Sequence, residues 1–106
     1  MAWLMVAIAG LFEIVWAVLL KQSDGFSKLW PSIGFVLAAA GSIVLLALAL
    51  RTLPVGSAYA AWTGIGAVGT AAAGIVLLDE GAGAGRLASI ALVVVGIVGL
   101  RIFTEH

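Results

Sequence analysis

The chain has 106 residues, 64% of them hydrophobic and 9% charged, with five basic and five acidic side chains and a formal net charge of zero. Soluble domains carry about 25% charged residues, so this composition belongs to an integral membrane protein, and the balanced charge leaves no basic field to draw nucleic acid. Cysteine is absent, which excludes disulfides, thiolate catalysis and Cys-based metal sites.

A spanning helix needs roughly 17 to 25 mainly apolar residues, and four candidates follow one another. The first covers residues 2–20. A cleaved signal peptide would need a basic leading region and a small-residue cleavage site; Glu13, Trp16 and the Leu19-Leu20-Lys21-Gln22 context argue that this segment stays. The second, 31–50, is introduced by Trp30-Pro31-Ser32, where proline suits a first helical turn and tryptophan an interfacial belt. The third, 55–78, is the longest. The fourth, 86–103, has a short uncharged centre between Arg86 and Arg101, whose stems can snorkel and extend it. The expected fold is an all-α membrane protein, a single four-helix transmembrane domain over 1–106.

The connections are short, so neighbouring helices run antiparallel and an even number of spans puts both termini on one side. Lys21, Lys28 and Arg86 collect at one face and Arg51 and Arg101 at the other. That difference is too small to fix orientation by the positive-inside rule, which allows insertion either way round and pairing with an inverted copy. Four helices close-packed around one another would also leave little room for a solvated path within one subunit. Ser89, Gly96 and Gly99 share a face of the fourth helix, a small-residue stripe suited to helix association, although Leu92 interrupts it and packing within one subunit would use it equally well.

Glu13 is the one charged residue within the first span. An ionisable group at membrane depth is expensive and marks a functional site by default; the alternative is a protonated glutamate that only holds helices together. On a helical period Gly10, Trp16 and Ala17 share its face. Tyr59, Trp62 and Thr63 share a face of the third helix, followed by Gly66. A carboxylate with two indoles and a phenol is the chemistry of a cation site, because aromatic faces attract a desolvated cation. Ser42 is positioned to orient Glu13, or else to bond its own backbone. Gly64, Gly66 and Gly69 crowd the third helix, where they permit either a bend or close packing. A charged carboxylate in an apolar site needs neutralising, and a proton and a cation would compete to do so. No nucleophile, base and metal-ligand constellation appears, and His106 is terminal, so an enzyme, a metal site and a cofactor are not expected.

Val15-Trp16-Ala17 after Glu13, Gly25-Phe26, Trp30-Pro31-Ser32, and Leu53-Pro54-Val55-Gly56-Ser57-Ala58-Tyr59-Ala60-Ala61-Trp62 with Thr63-Gly64-Ile65-Gly66-Ala67 resemble the small multidrug resistance family over essentially the whole chain. The Trp62-Thr63-Gly64 string is similar to its guanidinium-exporter subtype rather than to the quaternary-ammonium subtype, where serine usually follows that tryptophan. The resemblance implies an antiparallel homodimer in a bacterial inner membrane that exchanges guanidinium for protons, with one glutamate from each subunit in a shared site. Carried over by position, Glu13 would bind both proton and substrate, Ser42 and Trp62 would be its hydrogen-bonding neighbours, and Trp16 and Tyr59 further members; Gly10 and Thr63, by the helix faces they share, are expected to line the site. Export of lipophilic cations and a non-transporting assembly subunit remain as alternatives. The alanine-rich Ala38-Ala39-Ala40 and the plain Gly81–Gly85 loop depart from the family pattern and bear on substrate breadth.

Overall fold

The computed structural model describes residues 1–104, so His106, discounted above as a catalytic group, lies outside the described residues. Four helices make up the fold: α1 Ala2–Gln22, α2 Leu29–Ala49, α3 Val55–Leu77 and α4 Ala84–Phe103. All four are long and apolar enough to cross a membrane. Relative to the expected spans, α1 and α2 gain a turn fraction at their polar ends, at Lys21-Gln22 and at Leu29-Trp30, because helical hydrogen bonding continues past the point where hydropathy falls.

Each reversal has a local cause. Ser23 is fully buried beneath the first loop; its hydroxyl donates to the Leu20 carbonyl (2.6 Å) and accepts from the Phe26 amide (3.1 Å). Asp24, Gly25 and Phe26 all take positive φ, the left-handed region that costs glycine little and phenylalanine more. Phe26 is held there against Phe35, ring centroids 5.6 Å apart. Pro54, extended at φ −60°, precedes α3, and its carbonyl accepts from the Ala58 amide at 3.1 Å. After α3 the Gly74 carbonyl accepts from both Leu78 and Glu80, while Asp79 turns the chain at φ 59°. An Arg86–Glu80 ion pair of 2.8 Å then clasps the loop to the start of α4.

In space the order is α2, α1, α3, α4: α1 packs on both α2 and α3, α2 also touches α3, and α4 packs mainly on α3, with Arg101 reaching Trp3 of α1. The extents are 43 × 34 × 16 Å. Measured between Cα atoms, four helices side by side at spacings of 8–10 Å make a row about 29–35 Å wide, whereas a closed square bundle would be roughly 13–15 Å across in both directions. The four-helix transmembrane domain is therefore an open row rather than a closed bundle. The physical reason is visible in α4, which has no buried residue and keeps its apolar side chains for surroundings other than this subunit.

The small core lies where α1 crosses its neighbours and comprises Val6, Ala9, Leu46, Ala49, Leu53, Ala58 and Ala61. Small residues let the backbones approach where lipid provides no hydrophobic drive between helices. The α3 glycines serve this contact. A methyl group on Gly69 would overlap Ile14 of α1, and one on Gly64 would press on Ile97 and Val93 of α4 at 2.9–3.4 Å. α3 meanwhile runs unbroken from Val55 to Leu77.

Candidate cation site

Glu13 stands roughly 16 Å from the start of α1 and roughly 14 Å from its end at 1.5 Å per residue, near mid-membrane. The register between α1 and α3 places its neighbours. Gly10 lies against Trp62 and Ile65, Ile14 against Gly69, and between them the Glu13 carboxyl rests directly on Gly66. The α-carbon of Gly66 thus forms the seat of the carboxyl group. Its oxygen Oε1 is buried and has no hydrogen-bond partner among the described residues. Gly66 shares the Tyr59-Trp62-Thr63 face one turn on, a spacing that signalled proximity in the sequence without revealing that it carries Glu13.

Ser42 ties three helices together rather than orienting Glu13. Its hydroxyl donates to the Ala9 carbonyl of α1 at 2.7 Å and accepts from Trp62 Nε1 of α3 at 2.9 Å. Both bonds run between helices, so Ser42 does not spend its hydroxyl on its own backbone. The Ala9 carbonyl as its acceptor could not be found from side-chain patterns, since any backbone oxygen on a facing helix is a candidate. Replacing Ser42 with alanine strands the half-buried Trp62 N–H and is expected to cost about 1–2 kcal/mol of stability. Reversible unfolding in mixed micelles checks this, and Ser42→Thr, which restores a hydroxyl, should recover part of the loss.

The aromatic residues divide between the two neighbours of the carboxylate. Trp62 packs against Tyr59 with centroids 5.4 Å apart and planes tilted by 58°. Trp16 leans the other way, edge-on to Phe35 of α2 at 5.6 Å, and its buried Nε1 has no acceptor among the described residues. Tyr59 and Thr63 are exposed in the single subunit. Among the described residues no three His, Cys, Asp or Glu side chains lie together as metal ligands.

Four spanning helices, with a carboxyl part-way along the first seated on the third, define a small multi-pass membrane protein. Residues 1–93 match the family described as Small Multidrug Resistance protein. The chain is 59% identical over 105 residues to the guanidinium exporter of Escherichia coli (strain K12), covering 99% of this chain and 100% of that one. It is 56% identical over 102 residues to the guanidinium exporter of Yersinia pestis, with 96% and 98% covered. The guanidinium exporter of Citrobacter freundii is 55% identical over 105 residues, with 99% and 100% covered. The chain belongs to the small multidrug resistance family. It is an export transporter, multi-pass in the bacterial inner membrane.

Proposed function

We propose that this protein exports guanidinium in exchange for protons, with both competing for Glu13. The observation that carries the proposal is the seating of the Glu13 carboxyl on Gly66, with a buried oxygen that has no donor among the described residues. An acceptor held in that way, at membrane depth, is satisfied by a proton or by a cation that brings its own N–H groups. Guanidinium brings planar donors that pair with a carboxylate as arginine does, and a flat face that stacks on indole. A tetraalkylammonium ion carries charge but no N–H, so it leaves the acceptor unpaired and is disfavoured. The names of the relatives support the same substrate.

An open row of helices does not enclose a cation by itself, which supports a homodimer in which each copy completes the other's site. The outer face of α4 fits that role: Gly96 and Gly99 meet no other group of the subunit, and Ser89 is exposed and bonds its own helix at the Gly85 carbonyl. Near-balanced loop charge is consistent with two copies inserted in opposite orientations. Exchange follows if the helices reorient only when Glu13 is neutralised, so that a proton gradient drives the cation outward.

Electrical current from purified protein in liposomes tests the proposal. Guanidinium should evoke current, since the two glutamates of a dimer exchange two protons for one cation, and tetraethylammonium little; the reverse pattern would move the protein to lipophilic-cation export, and silence with both, with no cation-driven proton movement, would favour a non-transporting subunit. Competition also has a sign. A proton on Glu13 excludes the cation, so apparent guanidinium affinity should weaken as pH falls, approaching about tenfold per pH unit once the free protein is protonated. Affinity that stays level across the titration of Glu13 would remove the competition.

A further inference from the structure

Arg101 and Trp3 line two adjoining cavities at the end of the molecule that carries the α2–α3 connection. One, of about 330 Å³, is apolar and runs between α1, α3 and α4, bounded by Trp3, Ala7, Ala61, Ile65, Ile97 and Arg101 among others. The other, of about 420 Å³, is bounded by Trp3, Arg101, Thr52, Leu53 and the first two residues. The Arg101 guanidinium carbon sits 5.6 Å from the centre of the Trp3 ring, which fixes the charge at the junction of the two. Trp3 Nε1 is a buried donor with no partner among the described residues. Arg51 lines a third cavity that shares Thr52 with the second, and no acidic side chain lines any of the three among the described residues.

We propose that this junction holds one phospholipid with an anionic headgroup, its phosphate on Arg101 and one acyl chain in the apolar groove. The chemistry matches part by part. A guanidinium with no hydrogen-bond partner among the described residues donates to a phosphate in bidentate fashion. A second arginine nearby favours a net negative headgroup over a zwitterionic one. The apolar groove leads from that point into the helix row, between Ala7 and Ala61 on one side and Ile97 on the other.

Geometry also separates this groove from a contact between copies. At 100° per residue, Ile97, Val98, Arg101 and Ile102 fall on one side of α4, and Ser89, Leu92, Gly96 and Gly99 fall on roughly the opposite side. A second copy packed on the small-residue stripe therefore leaves the groove open to lipid. The site owes nothing to Glu13, so its test is independent of guanidinium transport.

The experiment is native mass spectrometry of the full chain in detergent, titrated with phosphatidylglycerol and, separately, phosphatidylcholine. One phosphatidylglycerol per subunit should bind in preference to phosphatidylcholine, and Arg101→Gln should weaken it by about fivefold, the loss of one arginine at a membrane surface. Arg101→Lys should retain most of the preference. Ala7→Phe, which fills the groove while keeping the charge, should also lower retention and guards against a folding defect particular to Arg101. Equal binding of both lipids, or undiminished retention in Arg101→Gln and Ala7→Phe, would overturn the proposal. So would efficient cross-linking of Val98→Cys to a second copy, since the groove would then be covered by protein.

Discussion

Glu13→Gln should abolish proton-coupled guanidinium current while leaving assembly intact. Glutamine has nearly the same shape, so the seat on Gly66 remains filled and the helices keep their packing. What disappears is the titratable group and the negative charge. Removing one member of a desolvated charge pair costs about 3–5 kcal/mol, roughly two to three and a half powers of ten in affinity at 1.4 kcal/mol per decade. Proton coupling should vanish outright, because an amide has no proton to exchange in this range. Glu13→Asp is the informative companion: it keeps a carboxylate on an arm one methylene shorter and should retain coupling at a reduced rate. Current in Glu13→Gln equal to wild type would remove Glu13 from the mechanism.

Gly66→Ala should also damage transport, though less, despite adding only a methyl group to a residue with no chemistry. A Cβ at Gly66 would occupy the space of the Glu13 carboxyl. The obstructing group is the far end of a flexible side chain, so the helix tolerates the change and Glu13 swings away. Forced displacement in a packed site costs about 1–3 kcal/mol, and the expected loss is roughly 10- to 100-fold in guanidinium affinity. Gly56→Ala is the control, since nothing lies within 4 Å of a Cβ there; it should leave transport unchanged. Combining Gly66→Ala with Glu13→Asp gives a sharper test. Shortening the carboxylate arm relieves the overlap, so the double variant should lose less than the two single losses added together. Strict additivity would mean that the two groups do not meet.

The fold class was legible from the first lines of the sequence because the bilayer constrains so strongly. Backbone groups in lipid must bond within their own segment, and four apolar runs separated by Ser23-Asp24-Gly25, Arg51 to Pro54, and Asp79 to Gly85 leave four helices as the solution. Glu13 stood out for the same reason: a carboxylate among apolar side chains has a large energetic cost and marks a functional site by default. Helical period also placed Trp62 and Gly66 on one face of α3.

The partners of those groups were not legible. Period assigns residues to faces of a helix but says nothing about which helix those faces meet, and in lipid no water-exposed side exists to orient them. Hence Ser42 could be expected beside Glu13, while the structure gives its hydroxyl to the Ala9 carbonyl and takes the Trp62 N–H. The row in place of a closed bundle has the same origin, since a helix such as α4 that is apolar on most sides carries no mark distinguishing a lipid-facing surface from a subunit-facing one. The sequence by itself determined four membrane spans with one costly carboxylate among them, because both follow from transfer of residues into hydrocarbon. Tertiary structure alone decided that this carboxyl sits on the backbone of α3 at Gly66, because close contact depends on how small residues of two particular helices align.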